Sequence, residues 1–432
     1  MSGLTRPLGS GRRVASIVVC ALWLSSGPAA AQASGPPLDL HRAVHQAVQR
    51  AAGLQALYAT ASGWRQSAVA AGQLPDPMLR LSLDNVPVEG PGRFSLTRDM
   101  GTKRSIGVMQ TFTRADKRRA RATRAEREAE AALAERGAQA ALVQRETADA
   151  WFGRRAQEQR VAVLHEHLVV AQQQVEAADA AVRGGRGALV DAVAARDAVV
   201  QLRQALLAAE AELTSAQRNL ARWSGTVPDL PLAAAPPITR LDAGTEGPEA
   251  IARHPDLAQW AARIAVADAA VELARQERVP DWSVELKFHQ RGERWANMAS
   301  VALSLPLPWD RPQRQDRELA ARLAEVQALR AGREEREREL RAELGRWADG
   351  WRAGLARLAL IDSQREPLAR QRIDAALAAY RGGGAPLAQV IEARRSALAL
   401  QMERIDVELE TARWWARLEF LAPDTAALAA KE

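Results

Sequence analysis

The sequence predicts a mainly α-helical protein of long coiled-coil hairpins, with a small β part of four strands that is completed only between copies of the chain. Three observations carry this. First, Arg118 to about Ala181, a break at Gly184-Gly185, and Leu189 to Trp223 form a proline-free span dominated by Ala, Glu, Gln, Arg and Leu, which are good helix formers. Second, four short runs elsewhere switch to a period of two. Third, the same order of helix, strands, long helix, break and helix occurs twice.

Both arms of the first hairpin carry a heptad seam. On the long arm it is Val161, Leu164, Leu168, Ala171, Val175, Ala178 and Val182; on the returning arm it is Ala192, Ala195, Val199, Leu202, Leu206, Ala209, Leu213, Ala216, Leu220 and Trp223. Steps of three and four place these side chains on one narrow stripe, and the many alanines let helices approach closely. At 1.5 Å per residue the long arm reaches about 95 Å, well beyond an ordinary globular helix.

Taken in order, residues 1–31 read as a signal peptide. Arg6, Arg12 and Arg13 precede a short apolar run from Val14 to Leu24, and Ala29-Ala30-Ala31 offers a small-residue cleavage site before Gln32. The run is too short to span a bilayer as a helix. Cys20, the one cysteine, lies inside it behind Val18-Val19, a poor context for lipidation, so the mature chain is expected to be exported, unlipidated and free of thiols. The first repeat covers 32–225. It has a helix from Leu38 to Gly72, a stop at Leu74-Pro75-Asp76-Pro77, strands 78–84 and 105–112, a long helix 117–182, a tip, and a helix 189–223. Residues 226–247 form a linker rich in Pro and Ala. The second repeat, 248–421, has a helix ended by Val279-Pro280-Asp281, strands 282–290 and 299–307, a long helix 313–380, a tip, and a helix 386–421. Pro367 is expected to kink the long helix by removing one donor. A tail follows at 422–432. Arg183-Gly184-Gly185 with Leu189 to Arg196, and Arg381-Gly382-Gly383 with Leu387 to Arg394, align without a gap at an offset of 198.

The strands alternate cleanly: Leu79, Leu81 and Leu83; Ile106, Val108 and, past Gln110, Phe112; Val284, Leu286 and Phe288; Val301, Leu303, Leu305 and Leu307. The helices offer narrow seams suited to each other, not a broad apolar face on which a soluble sheet could sit. Runs of about nine residues with one apolar face fit outer-membrane barrel strands. Four strands cannot close a barrel, and an open edge in lipid leaves backbone groups unpaired, so the pattern implies a cyclic oligomer. In each half the two shorter helices, end to end, match the long one, as in a hollow helical cylinder hung from a barrel.

The chain resembles the TolC-type outer-membrane efflux channels over essentially its whole mature length, and within them the outer-membrane component of heavy-metal resistance pumps (CzcC-like). The stretches that carry this are Ala71-Gly72-Gln73-Leu74-Pro75-Asp76-Pro77, Asp84-Asn85-Val86-Pro87, Gln110-Thr111-Phe112 leading to Lys117-Arg118, Leu305-Pro306-Leu307-Pro308 and Tyr380-Arg381-Gly382-Gly383. The resemblance implies a homotrimer sharing a 12-stranded outer-membrane barrel and forming a periplasmic α-helical tunnel. It also implies a periplasmic adaptor and an inner-membrane proton-driven pump of the RND type as partners. The family's adaptor-contacting tips match Gly185, Leu189, Gly383 and Leu387. Its acidic tip constriction falls on Asp191, Gln389 and Glu392, where only Glu392 keeps a carboxylate in the second repeat. A basic latch of some members falls on Ala385, and Arg183 or Arg381 are candidates to replace it.

Composition excludes other chemistry. The net charge is +7, but the charges are interleaved, as at Arg124 to Glu130, which marks a solvated helix face. No basic block is paired with stacking aromatics, so no nucleic-acid partner is expected. Gly184-Gly185-Arg186-Gly187 follows a helix and not a strand, unlike a nucleotide cradle. His41 and His45 share a helix face and His165 and His167 do not; six scattered histidines give no chelating site. No nucleophile–base pattern is present, and neither an enzyme nor a cofactor is expected. The expected function is that of the exit duct of a tripartite efflux system, exporting heavy-metal cations. The alternatives are a drug-efflux or type I secretion channel and, from a different class, a periplasmic coiled-coil adaptor, which would carry one hairpin where this chain has two.

Overall fold

The computed structural model describes residues 36–185, 187–241, 248–423 and Leu428. The expected signal peptide, Arg186 of the first tip, part of the linker and most of the tail lie outside the described residues.

The first half runs α1 (Leu40–Arg50), α2 (Ala52–Ala71), β1 (Met78–Asp84), β2 (Lys103–Phe112), α3 (Ala115–Arg183) and α4 (Leu189–Ser224). After the short α5 (Pro248–Ala252), the second half runs α6 (Pro255–Glu277), β3 (Trp282–Gln290), β4 (Met298–Ser304), α7 (Gln315–Leu360), a π turn (Ile361–Arg365), α8 (Glu366–Arg381) and α9 (Leu387–Glu419). Helix α3 has 69 residues, about 100 Å at 1.5 Å each. It packs against α2 and α4 on one side and α6 and α9 on the other; α7 and α8 then lie against α6 and α9. The lateral order is therefore α2 with α4, then α3, then α6 with α9, then α7 with α8. The strands form one antiparallel sheet in the order β1-β2-β3-β4, which repeats that lateral order.

The described elements depart from the sequence reading at three places. The expected continuous helix from Leu38 to Gly72 is broken at Ala51, which is extended at φ −61° and ψ 103°. Neither Gly nor Pro marks the break. Helix α1 buries Leu40, Ala43, Val44, Ala47 and Val48, and the Arg50 guanidinium occupies the space that a Cβ on Gly225, at the end of α4, would fill. Strand β4 stops at Ser304 and not 307, because Pro306 has no N–H for a ladder. At Pro367 the expected kink is met by the π turn just before it. The turn relieves the crowding between a proline ring and the residue four earlier. The Ser363 hydroxyl donates to the Ala359 carbonyl at 2.6 Å, and Arg404 and Arg365 tie the turn to α9 through Asp362 and Glu403.

The main core lies at mid-height. Trp151, Phe152, Leu220, Trp415 and Phe420 gather there around Leu38 and Leu40. The segment after α4 is clamped to this core: Trp351 Nε1 donates to the Ile238 carbonyl (2.8 Å), Trp415 Nε1 to that of Arg240 (2.7 Å) and Arg154 to that of Leu230 (2.8 Å). Leu38 bridges the same segment at Leu232, and its carbonyl accepts from Trp151 Nε1 at 3.0 Å. What reads as a linker is a belt held in part by indoles.

Helix α6 starts on a buried histidine cap: His254 Nδ1 accepts from the Asp256 N–H at 3.2 Å. Burial pushes the His254 pKa below its ordinary value. Asp256 opposes the shift and Arg145 and Arg336 reinforce it, with Glu343 opposing. The unfolded chain therefore binds a proton that the folded one refuses, and stability rises with pH in that window. Stability is expected to fall as pH drops from about 6.5 toward the lowered folded pKa. His254→Asn, which keeps a capping oxygen, is expected to flatten that slope in denaturant titrations across pH.

Candidate functional site

Two regions of the chain are built for contact with something outside it: the sheet at one end of the helices and the tips at the other. On the sheet, Leu79 and Leu81 stand opposite Val108 and Ile106. Those stand opposite Leu286 and Phe288, which in turn face Val301 and Ala299. One apolar face thus crosses all four strands, and it is bare: Leu81 and Val301 are each 73% exposed. The other face is polar. Glu285 sits between Arg80 (3.5 Å) and Lys287 (3.1 Å). The His289 ring lies between the hydroxyls of Ser105 and Ser300, 2.7 Å from each. Among the described residues β1 and β4 each have one strand neighbour, so two seven-residue edges are open.

The base of the sheet explains the motif residues around it. Gln110, which interrupts the alternation, donates its amide to the Pro75 carbonyl at 2.8 Å. Lys117 and Thr113 hold Asp281 of the second Pro-Asp stop at 3.2 and 3.3 Å. Phe112 stacks on Trp282 with ring centroids 4.4 Å apart, and Trp309 beyond β4 is almost wholly exposed. Aromatic rings at that height match the girdle of a membrane barrel.

At the far end, α3 and α8 both stop on glycine. Gly185 and Gly383 take φ of +69° and +72°, the left-handed region in which a side chain is strained. A Cβ at either would meet open space, so backbone conformation alone demands glycine. Gly383→Ala is expected to cost roughly 1–2 kcal/mol, read as faster amide exchange in residues 378–392.

The two leucines expected at the adaptor-contacting tips part company here. Leu189 is 66% exposed, with Val190 and Val193 beside it, whereas Leu387 is 4% exposed. Leu387 packs with Ala178, Ala192, Ala195 and Val390, locking the second tip onto the first. Repeats equal in sequence thus have unequal neighbours at the two tips. Of the acidic-ring positions, Asp191 is half-buried while Gln389 and Glu392 are exposed. Among the described residues neither Arg183 nor Arg381 makes an ion pair, and Ala385 in the second tip is half-buried.

Above the tips a groove of about 420 Å³ runs between α4 and α9. Ala194, Ala198, Leu202 and Leu398 give it an apolar floor; Asp197, Glu392, Arg394 and Arg395 give it a charged rim. Burial lowers the Arg394 pKa from its ordinary value. Of these rim residues sequence reasoning singled out Glu392 and missed Asp197, Arg394 and Arg395. It also missed a second stripe on α4, Val193, Val200 and Leu207, all exposed. Their spacing of seven, offset from the seam, is the signal that could have found them. The histidines are otherwise engaged: His41 packs edge-on against Phe420, His45 bonds Gln49, His165 lies near Glu210 and His167 bonds Gln401. Among the described residues no group of three or more potential ligands could hold a metal, and no described helix is long and apolar enough to cross a membrane.

Residues 247–422 match the model of the outer membrane efflux protein family. Among solved structures, the outer-membrane channel OprN is similar at a TM-score of 0.74 and 19% identity, over 89% of this chain and 90% of that one. CusC, solved in a study of its folding and transmembrane channel formation, gives 0.75 and 16% over 90% and 91%. The outer membrane protein VceC from Vibrio cholerae gives 0.68 and 20% over 90% and 95%. At these identities the likeness is one of fold. Among curated proteins none matches this sequence.

Proposed function

We propose that the chain is a member of the outer membrane efflux protein family, whose model matches residues 247–422, a family of transport proteins and not of enzymes, and that it is the outer-membrane exit duct of a tripartite efflux system. The observation that carries this is the bare apolar sheet face with two open edges, standing on helices about 100 Å long. A face of that kind is stable in lipid, and its edges must be paired there. The lateral order of strands and helices is the same, so one rotation brings β4 beside a neighbour's β1 and α7 with α8 beside its α2 and α4. Three copies supply twelve strands and a helical tunnel below the outer membrane. The second stripe on α4 supports this assembly, because α7 and α8 on the opposite flank leave Leu360 and Leu368 exposed to meet it. Changing Val200 and Leu207 together to Asp is expected to convert the trimer to monomers in detergent, read by light scattering after size exclusion.

At the tips, Gly185, Leu189 and Gly383, with the α4–α9 groove, form the seat for helices of a periplasmic adaptor. Leu387 contributes by holding the two tips together. Asp191, Gln389 and Glu392 line the entrance constriction. An inner-membrane RND-type pump supplies the energy, and the duct itself needs no tight site. Heavy-metal cations are the proposed cargo, on the strength of the CzcC-like stretches in the sequence. The test is metal tolerance of a strain lacking the chain, across zinc, cadmium, cobalt, nickel, copper and silver, beside a panel of drugs. Tolerance lost for one set of metals, restored by the chain and lost again with Leu189→Asp, supports the reading. Drug sensitivity with unchanged metal tolerance keeps the duct and discards the metal cargo. No phenotype in either panel counts against the duct.

A further inference from the structure

Across the polar face of the sheet, Arg80, Gly107, Lys287 and Ser300 stand in one row from β1 to β4. Gly107 is the bare position in that row. A Cβ there would lie 2.6 Å from Lys287 Cγ and 2.8 Å from the Leu286 carbonyl oxygen. The missing side chain leaves a floor between the long side chains of β1 and β3. Lys287 turns back along its own strand to Glu285 at 3.1 Å, and Arg80 reaches across β2 to the same carboxylate at 3.5 Å. Two cations thus converge on one carboxylate.

The three groups are not equally open. The Glu285 side chain is 13% exposed, against 48% for Arg80 and 27% for Lys287. The carboxylate is covered by the cations it holds, and the charge left in view is positive. The rest of the polar face does not reverse this. Lys103 stands opposite Asp84, which accepts from the Ser82 and Ser105 hydroxyls at 3.0 and 3.2 Å. His289 spends its ring nitrogens on Ser105 and Ser300. Along the four strands this face therefore carries Arg80, Lys103 and Lys287 against Asp84 and Glu285. Rings of Arg or Lys around a pore favour anions, because wall charges concentrate their counter-ions in the lumen.

We propose that Arg80 and Lys287, seated beside Gly107, form a ring that biases the barrel section of the duct toward small anions and anionic complexes. In a closed barrel each copy brings two cations and one covered carboxylate to the same height, so the excess charge recurs around the lumen. This inference rests on the duct reading and not on the identity of the cargo. A metal crossing the ring would pass more readily as an anionic complex than as a bare cation.

The test is the reversal potential of the full chain in planar lipid bilayers under a potassium chloride gradient. Concentrations of about 0.1 M and about 0.01 M leave wall charges screened only beyond roughly 10–30 Å. The wild type is expected to prefer chloride over potassium several-fold. Lys287→Glu is expected to reverse that preference, and Arg80→Gln, a milder change, to lower it; Arg80→Gln decides the matter if Lys287→Glu does not assemble. Glu285→Gln uncovers both cations and is expected to raise the preference. In about 1 M salt, where the screening length is about 3 Å, the differences are expected to vanish. A conducting wild type that prefers potassium overturns the proposal. So do reversal potentials equal in wild type and all variants. A chain that conducts nothing overturns the duct reading, and this inference with it.

Discussion

Arginine at Leu81 is expected to abolish assembly of the chain in the outer membrane. Leu81 is the middle residue of β1, on the face it shares with Ile106 and Phe288, and it is bare. A cation facing lipid at the midplane of a barrel costs roughly 2–4 kcal/mol, and in a cyclic oligomer the cost recurs in every copy. Ala302→Arg is the control. Ala302 stands opposite Glu285 on the polar face, where a cation meets a carboxylate and water. Membrane fractionation and heat-modifiable migration on gels read the outcome. Leu81→Arg should leave no heat-modifiable species, and Ala302→Arg should leave it near wild type. Equal loss in both, or in neither, would sink the assignment of the apolar face to lipid.

The second large effect is expected at Trp151, which is wholly buried at the centre of the mid-height core. Truncation of a buried tryptophan to Ala typically costs about 3–5 kcal/mol, through lost burial and the cavity left behind. Here it also removes the edge-to-face contact with Phe152 at 5.2 Å and the indole donor to the Leu38 carbonyl. That carbonyl also accepts from the Ala233 N–H at 3.1 Å, so it is not orphaned. Trp151→Phe, which keeps a ring and loses the donor, is therefore expected to cost only about 1–2 kcal/mol. Urea unfolding gives the two values, and limited proteolysis gives the local consequence. Trp151→Ala should release residues 226–241 to cleavage before the helices unfold. Protection of that segment in the Ala variant would show that Trp351, Trp415 and Arg154 suffice to hold the belt.

These expectations separate two kinds of information. The sequence by itself determined what depends on near neighbours along the chain. The ten seam positions from Ala192 to Trp223 are all buried or half-buried in the structure, because a heptad stripe can turn to a partner helix only one way. The alternation of Leu79 to Leu83, Ile106 to Val108 and Val284 to Phe288 likewise puts those residues on one face, because strand side chains alternate with a period of two. The glycines at the tips follow from a backbone angle that few other residues accept.

Only the tertiary structure decided what depends on distant residues. Helix α1 separates from α2 at Ala51 although nothing local breaks a helix there; Arg50 must pass the end of α4. Leu189 and Leu387 occupy equal places in the repeat, yet one faces solvent and the other fills the space beside Ala192 and Ala195. A Pro- and Ala-rich stretch that reads as a linker becomes a belt because three indoles from α3, α7 and α9 bond to the backbone around it. In each case periodicity defines which face is apolar or polar, and packing between segments far apart in the chain selects what that face meets.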